Sequence, residues 1–329
     1  MNWTNKPVLV TGAAGFIGSH LCEALVELGA DVVAMTHYNA RNDWGNLAFL
    51  SPSHRNAIRV VAGHIDDPYF VANQVKGREI VFHLAALIAI PHSYAAPFAY
   101  VRTNIEGTLA VLEAARQHGV ERLVHTSTSE TYGSALYTPI DERHPLQGQS
   151  PYSASKIGAD KIAESYHRSF QLPVATIRPF NTYGPRQSAR AVIPAIISQA
   201  LSRSEVRLGS LEPVRDLTCV TDTVRGFLKI AESPEAVGEV TNIGAGKGIS
   251  IGDLAAKILR VMGRDVPIVS EDERRRPADS EVMQLICDNT KAGRIAGWFP
   301  ERSLQEGLES TIAFVSDHLH LYKTDQYVV

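Results

Sequence analysis

The sequence has few cysteines, no long apolar segment and little net charge, and each shortage excludes a class of protein. Its cysteines, Cys22, Cys219 and Cys287, lie far apart without CxxC spacing, so we expect neither a disulfide framework nor a metal site. No stretch approaches the roughly 18 consecutive apolar residues of a membrane span. The net charge of -3 gives no general reason to expect nucleic acid or a membrane surface as a partner. We therefore expect a cytoplasmic globular protein that binds any anionic ligand through local arginines.

Short apolar runs alternate with amphipathic stretches through the first two thirds of the 329 residues. This alternation is typical of a parallel sheet with crossover helices, and no basic and apolar leader segment precedes the first run. Residues 17–29 and 105–118 have helical apolar spacing, and each stretch ends near a glycine, as helices commonly do. The predicted strands are residues 7–11, 31–35, 58–62, 79–83, 121–126 and 173–177.

The periodicity breaks up after Pro179 into loops, short helices and arginine-containing turns. It returns in residues 222–232, which indicate a helix, and in residues 239–243, which indicate a strand. We therefore predict an α/β fold, a doubly wound parallel sheet (Rossmann) with a smaller, discontinuous α/β substrate-binding domain. The first domain would comprise residues 1–179 plus 221–243, and the second residues 180–220 plus 244–329.

A glycine-rich turn follows the first predicted strand. Gly12, Gly15 and Gly18 have GxxGxxG spacing between this strand and a helix. Side chains there would hold the backbone away from a pyrophosphate, and the helix amides would bind that anion. The spacing also occurs in helix caps that bind nothing, but its place in a βαβ unit favours a dinucleotide site.

The acidic residue that usually holds the adenosine ribose is missing after the second strand, where Thr36 and His37 stand instead. Its absence removes the repulsion of a 2′-phosphate, and Arg41 is close enough in sequence to bind one. Arg41 could equally be a solvated loop residue. Both NAD and NADP therefore remain open as cofactors.

Tyr152 and Lys156 lie four residues apart in a YSASK segment, on one face of a predicted helix. We expect Lys156 to lower the pKa of the Tyr152 phenol from about 10 toward working pH. Thr128 lies upstream at the carboxyl end of a predicted strand, where doubly wound folds bind ligands. A Tyr-Lys pair alone is common on exposed helices, but together with Thr128 and the glycine turn it predicts redox chemistry on a hydroxyl group.

Ser129 and Glu130 follow Thr128 directly. A run of hydroxyl residues can simply satisfy backbone groups, whereas a glutamate in a cleft is costly to desolvate unless it has a chemical task. In an extended segment, the side chains of Thr128 and Glu130 would point to the same side. We therefore predict that Glu130 shares the site with Thr128.

Segments along nearly the whole chain resemble the extended short-chain dehydrogenase/reductase family of nucleotide-sugar epimerases and dehydratases. They are TGAAGFIG at 11–18, HLAA at 83–86, TN at 103–104, TSTSETYG at 126–133, YSASK at 152–156, RPFNTYGPRQ at 178–187 and RD at 215–216. Thr-Ser-Glu at 128–130 resembles GDP-mannose 4,6-dehydratases. The dTDP-glucose 4,6-dehydratases carry Thr-Asp-Glu there, and 4-epimerases usually have small or hydroxyl residues in place of the Glu.

Three further segments resemble the legionaminic-acid-pathway 4,6-dehydratases that act on GDP-N-acetylglucosamine. They are residues 37–47, 145–160 and 178–194. Two residues depart from the family pattern, because Thr36 and His64 stand where an Asp is usual. Both departures concern the choice of cofactor and leave the reaction class unchanged.

The resemblance implies a tightly retained and recycled NAD or NADP, and a nucleotide diphosphate sugar substrate with GDP favoured over UDP or dTDP. The implied catalytic residues are Thr128, Ser129, Glu130, Tyr152 and Lys156. The implied cofactor-binding residues are Gly12, Gly15, Phe16, Ile17, Gly18, Thr36, His37, Arg41, His64, Ile65, Leu84, Ala85, Ala86, Asn104, Tyr152 and Lys156. The implied substrate-binding residues are Ser93, Asn181, Arg186, Arg215, Arg276 and Asp279. Arginine suits phosphate because its planar fork binds two oxygens, although the basic run 274–276 could also be a solvated turn.

The predicted function is an NDP-hexose 4,6-dehydratase that makes a 4-keto-6-deoxy sugar by internal hydride transfer. A nucleotide-sugar 4-epimerase, which shares the first half-reaction, and a non-catalytic dinucleotide or sugar-nucleotide sensor are the alternatives. The set of Thr128, Tyr152 and Lys156 argues against a sensor, which needs no activated phenol. The resemblance also implies a homodimer, joined through helices 105–118 and 152–167 as a four-helix bundle, although their apolar positions could instead be used against the sheet.

Overall fold

The computed structural model describes residues 1–41, 43–271 and 281–322. In these ranges the strands are β1 Pro7–Thr11, β2 Asp31–His37, β3 Ile58–Gly63, β4 Ile80–His83, β5 Arg122–Thr126, β6 Val174–Pro179, β7 Asn181–Tyr183, β8 Val206–Leu208, β9 Val214–Cys219, β10 Val240–Ile243, β11 Gly248–Ser250, β12 Ile268–Ser270 and β13 Gln284–Leu285. The α-helices are α1 Phe16–Glu27, α2 Pro52–Asn56, α3 Pro68–Val75, α4 Ile90–Ala95, α5 Pro97–Tyr100, α6 Gly107–His118, α7 Pro151–Phe170, α8 Val192–Ser202, α9 Val220–Glu232, α10 Ile251–Met262, α11 Thr290–Ala296 and α12 Leu304–Asp317.

A parallel sheet of seven strands forms the centre of the described structure, in the order β10-β6-β5-β4-β1-β2-β3. The chain proceeds from β1 to β3 toward one edge and from β4 to β10 toward the other, so its direction of progress reverses between β1 and β4. Doubly wound sheets bind their ligands beside such a reversal, at the carboxyl ends of the strands. The predicted doubly wound α/β fold is confirmed.

The two faces of this sheet bury different side chains of the same strands. Val8 and Val10 of β1 belong to one apolar cluster, together with Leu21 of α1. Leu9, between them in sequence, points to the opposite face, where it joins Val111 of α6. Because alternate side chains of a strand face opposite sides, a strand buried on both faces needs a continuous apolar run. This requirement explains why the inner strands were recognisable from the sequence.

Most predicted boundaries agree with the structure to within two residues. The predicted helix 105–118 starts later as an α-helix, because residues 101–106 form a π-helical turn in front of α6. Gly29 and Gly119 follow α1 and α6 with φ values of 82° and 64°, a left-handed conformation that glycine adopts at little cost. The predicted helix 222–232 begins two residues earlier, at Val220.

A smaller set of elements follows β6. Strand β9 pairs with β7 and β13 in parallel and with β11 in antiparallel orientation, while β8 pairs with β12. Helices α8, α10 and α12 share an apolar cluster, which includes Ile196, Leu254 and Leu308. Strand β10 returns to the edge of the large sheet beside β6, and the exact division into two domains stays a prediction. No helix in the described ranges is long and apolar enough to cross a bilayer.

Candidate active site

A cleft of about 1130 Å³ opens at the carboxyl ends of the central strands and extends to β7, β8 and β9. The structure brings many of the residues predicted for a site to this cleft. They are Gly12, Gly15, Phe16, Ile17, Gly18, Thr36, His37, His64, Ile65, Leu84, Ala85, Ala86, Thr128, Ser129, Glu130, Tyr152, Lys156, Asn181 and Arg215. One continuous cavity therefore contains the predicted cofactor loop, the catalytic group and part of the substrate site.

The glycine-rich turn brings three pieces of backbone close together. A Cβ on Gly12, whose φ is 69°, would lie 2.7 Å from the amide nitrogen of Ala85. A Cβ on Gly18 would lie 2.3 Å from the carbonyl oxygen of Gly12. Gly15 is the N-cap of α1 and offers no side-chain acceptor to the first-turn amides. These amides are available to an anion in the cleft, as a dinucleotide pyrophosphate requires.

The end of β2 forms the part of the cleft where an adenosine would lie in a doubly wound fold. Thr36 is buried, and the His37 and His64 rings meet edge to face with centroids 4.8 Å apart. Asp66 also lines this end of the cleft. Arg41 is exposed and does not line the cleft, so the structure does not bring it to the predicted 2′-phosphate position.

The segment after β5 presents its side chains differently from the prediction. Thr128 is extended and caps a 3₁₀ turn, Ser129–Tyr132, by accepting a hydrogen bond of 3.3 Å from the amide of Glu130. The expectation that residues 128–130 are extended, with side chains alternating, is therefore wrong. Thr128, Ser129 and Glu130 all line the cleft nonetheless, because the tight turn begins where the strand reaches the cavity.

Tyr152 and Lys156 lie on the first two turns of α7, whose start is fixed by a capping box between Ser150 and Ser153. The Thr128 hydroxyl lies beside the Tyr152 phenol. Burial raises the pKa of the Tyr152 phenol, and the negative charge of Glu130 adds to this effect. The expectation that Lys156 lowers the pKa of Tyr152 is wrong in this structure. Instead, the Lys156 ammonium donates a hydrogen bond of 2.6 Å to the carbonyl of Thr126.

A buried ionic cluster lies one turn further along α7. Asp160 accepts hydrogen bonds from His125 at 3.0 Å, Ser127 at 2.6 Å and Arg178 at 2.7 Å. Burial would raise the pKa of the Asp160 carboxyl, but the hydrogen bond of His125 and the charge of Arg178 hold it well below its ordinary value. Burial lowers the pKa of Lys156 to about 8, against the charge of Asp160. The carboxylate therefore helps to keep a buried lysine protonated near neutral pH.

Two other predicted residues are buried without lining the cleft. Asn104, in the π-helical turn, hydrogen-bonds the backbone of Leu87 through both ends of its amide and donates to Ser155 of α7. It thereby fixes the loop after β4, part of the cleft wall, to helix α7, which bears Tyr152. The Ser93 hydroxyl donates to the carbonyl of Ile90 at 2.6 Å, and the structure does not bring it to the cavity.

The structure brings some of the predicted substrate residues to the cleft and leaves others away from it. Asn181, at the start of β7, lines the cleft and has a buried side-chain oxygen without a hydrogen-bond partner. Arg215 of β9 also lines it and forms an ion pair of 3.3 Å with Glu281. Arg186 does not line the cleft, because its guanidinium is paired with Glu23 of α1 at 2.7 Å. Arg276 and Asp279 lie outside the described residues.

Several polar residues of the cleft were not predicted. Asp66, Gln187, Arg190 and Arg207 line it. Gln187 closes the RPFNTYGPRQ segment, so a reading of that whole motif could have found it. Arg207 lies on the three-residue strand β8, whose pairing with β12 leaves no signal in the sequence.

Comparisons with known proteins agree with this geometry. A family profile described as GDP-mannose 4,6 dehydratase matches residues 9–311. A dTDP-glucose 4,6-dehydratase of Streptomyces griseus is 36% identical over 316 residues, which covers 94% of this chain and 94% of that protein.

Solved structures of two activities are similar to the chain. A dTDP-glucose 4,6-dehydratase from Streptomyces venezuelae, solved as a double mutant with NAD bound, superimposes with a TM-score of 0.86 at 30% identity, covering 97% of this chain and 99% of that one. A UDP-glucuronic acid 4-epimerase from Bacillus cereus, solved with UDP-glucuronic acid and NAD, gives a TM-score of 0.84 at 29% identity, covering 94% and 99%. Similarity of this degree therefore includes both dehydratases and epimerases.

Proposed function

The chain belongs to the family of NAD-dependent nucleotide-sugar epimerases and dehydratases among the short-chain dehydrogenase/reductases, and we propose that it is a nucleotide-sugar 4,6-dehydratase. The observation that supports this choice is the position of Glu130. Its carboxylate lines the cleft beside Thr128, and its negative charge adds to the effect of burial in raising the pKa of the Tyr152 phenol. Elimination of water needs a proton-transfer group in addition to the pair that oxidises a hydroxyl, and Glu130 can supply it.

The residues of the cleft fit a nicotinamide dinucleotide. The close approach of Gly12 to Ala85 and the uncapped first turn of α1 suit its pyrophosphate. Asp66 near His64 would disfavour a 2′-phosphate, and similar solved proteins contain NAD, so we propose NAD as the resident cofactor, retained between turnovers. When bound, it would supply the oxidising and reducing equivalents for the sugar.

Tyr152 would act first, as the base that removes the proton of the sugar 4-hydroxyl. Thr128 would hold that hydroxyl, because its own side chain lies beside the Tyr152 phenol in the cleft. Lys156 would hold the end of β5 against α7 next to Tyr152, because its ammonium hydrogen-bonds the carbonyl of Thr126. Loss of this proton together with oxidation at C4 leaves a 4-keto sugar.

Glu130 would act second, at C5. A ketone at C4 acidifies the neighbouring C5 proton, and Glu130 would take it as a general base. The C6 hydroxyl then leaves as water with a proton from Glu130 itself or through Ser129. Reduction at C6 together with return of a proton to C5 from water, while Tyr152 releases the proton that it took from the 4-hydroxyl, completes a 4-keto-6-deoxy sugar, so the net change is the loss of one water molecule. A residue with an ordinary hydroxyl side chain at position 130 could not perform this step.

A 4-epimerase is the second candidate, because a protein of that activity superimposes almost as closely as a dehydratase. It would use the same Thr128, Tyr152 and Lys156 for oxidation at C4 and would leave Glu130 without a chemical role. For the nucleotide we propose GDP, on the match to the GDP-mannose 4,6 dehydratase profile. Asn181 and Arg215 would bind its phosphates.

A homodimer is proposed as the working form of the protein. Phe98 of α5 is 88% exposed, and Val101 and Leu109 near the start of α6 are 45% and 41% exposed. Large exposed apolar side chains are typical of protein interfaces. The predicted pairing through α6 and α7 would bury these side chains against a second copy.

The experiment is a product analysis by mass spectrometry after incubation with GDP-, UDP- and dTDP-sugars. A dehydratase gives a product lighter by one water molecule with one of them. A product of unchanged mass and inverted configuration at C4 would identify an epimerase. Mass spectrometry of the cofactor released on denaturation decides between NAD and NADP.

A further inference from the structure

Arg186, predicted to bind substrate, is tied to the helix that follows the glycine turn. It lies between β7 and α8, has a φ of 68° and a side chain that is 9% exposed. Its Nη2 donates to the Glu23 carboxylate at 2.7 Å. Non-glycine residues rarely adopt this left-handed conformation without contacts that hold them in it. The ion pair with Glu23 is such a contact.

Further hydrogen bonds hold the neighbouring backbone from the same side. His20, one turn before Glu23 on α1, donates to the carbonyl of Pro185 at 3.0 Å. Burial lowers the pKa of His20 to about 4, assisted by the charge of Arg186, so its ring is neutral near pH 7. Asn46 donates to the carbonyl of Arg186 at 3.1 Å. The cofactor half of the molecule therefore fixes residues 185–186 at several points.

The residues that come next form a wall of the cleft. Gln187, Ser188 and Arg190 line it. The Gln187 amide donates to the carbonyl of Thr182, next to Asn181 in β7, while its buried side-chain oxygen has no hydrogen-bond partner. The orientation of this wall depends on the segment before it, and that segment is anchored to α1.

We propose that Arg186 is a positioning residue, which acts through Glu23 to fix the cleft wall of residues 187–190 to helix α1. The first turn of that helix faces the cofactor end of the cleft, so the pair makes the cofactor loop and the substrate wall one rigid unit. The ligand that the wall contacts rests on the proposed function, a nucleotide sugar. Arg186 would thus affect substrate binding without touching the substrate.

The test compares Glu23→Gln and Arg186→Gln, alone and combined, with Glu27→Gln as control. Glu27 lies one turn further along α1 and is exposed, so the control makes the same charge change on the same helix. Hydrogen exchange of residues 184–190 is measured on each protein, together with kcat and KM for the nucleotide sugar. We expect both single variants to speed exchange in that segment and to raise KM roughly tenfold or more, with kcat nearly unchanged. The double variant should be no worse than either single one, because both remove the same contact.

Two results would overturn the proposal. If Arg186→Gln raises KM while Glu23→Gln does not, Arg186 acts on the substrate directly. If exchange in 184–190 stays the same in both variants, the ion pair does not fix the wall. Should Arg186→Gln fail to fold, Arg186→Lys, which keeps the charge, is expected to retain slow exchange. The exchange measurement needs no substrate, so a wild-type protein that converts no nucleotide sugar refutes the proposed function and leaves this test intact.

Discussion

Replacement of Lys156 by methionine tests whether burial of this lysine in its charged form destabilises the folded protein. The Lys156 side chain is 4% exposed, and burial lowers its pKa from 10.5 to about 8. This difference corresponds to about 3 kcal/mol of unfavourable free energy for the charged form in the folded protein. Lys156→Met removes that charge together with the hydrogen bond to Thr126, which is worth about 2 kcal/mol. At a single pH the two effects nearly cancel.

The pH dependence of the unfolding free energy separates the effect of the charge from the effect of the hydrogen bond. Because the pKa is lowered on folding, the unfolded chain binds more protons between pH 8 and 10.5, and the free energy of unfolding of the wild type rises across that window. Lys156→Met has no such group. Denaturant unfolding of both proteins near pH 7 and pH 10.5 should therefore show the wild type gaining about 3 kcal/mol relative to the variant.

The control for this experiment is Lys161→Met, at an exposed position on the same helix. Its difference from the wild type should change much less with pH, because that side chain is 62% exposed. If the difference in unfolding free energy between Lys156→Met and the wild type stays constant with pH, the charge of Lys156 does not destabilise the folded protein. A difference that moves in favour of the variant as pH rises would contradict the sign of the argument.

Four other substitutions test separate parts of the account. Glu130→Gln should slow product formation roughly 100-fold, the usual worth of a general base, while reduced nicotinamide accumulates; formation at the wild-type rate would make the carboxylate structural and favour the epimerase. Tyr152→Phe should show no reduced nicotinamide at all in the same absorbance assay, since oxidation at C4 fails first. Gly12→Val should abolish cofactor retention, measured by mass spectrometry of the denatured protein, because its Cβ would lie 2.7 Å from the amide nitrogen of Ala85. A variant that retains its full amount of cofactor would show that the glycine turn does not bind the pyrophosphate. Phe98→Asp should convert a dimer to a monomer in light scattering, and a wild-type mass near 35.9 kDa would reject the dimer.

The sequence was sufficient for the large sheet and for most of the cleft. Strands such as β4, with its run Ile80–His83, are fully buried, and a strand buried on both faces leaves a continuous apolar pattern. The glycine spacing was equally informative, because Gly12 and Gly18 allow backbone contacts that no other residue could. Both features leave a local pattern in the sequence.

What the sequence could not supply depends on distant partners and on competing local hydrogen bonds. Arg186 has the chemistry of a phosphate ligand, but its partner Glu23 is far away in the chain and is apparent only in the folded protein. The extended segment was expected to continue past Thr128. Instead, the Thr128 hydroxyl accepts a hydrogen bond from the amide of Glu130, and a 3₁₀ turn begins at Ser129. The pKa of Tyr152 likewise follows burial and not the charge of Lys156.

The most direct test of the proposed dehydratase is the fate of deuterium placed at C4 of the sugar in the substrate that the wild-type protein converts. Internal transfer predicts a 4-keto-6-deoxy product that carries this deuterium at C6, with the position located by nuclear magnetic resonance. An epimerase would return the deuterium to C4 in a sugar of unchanged mass. Deuterium found again at C4 would therefore contradict the account, whereas deuterium at C6 is the result that it predicts.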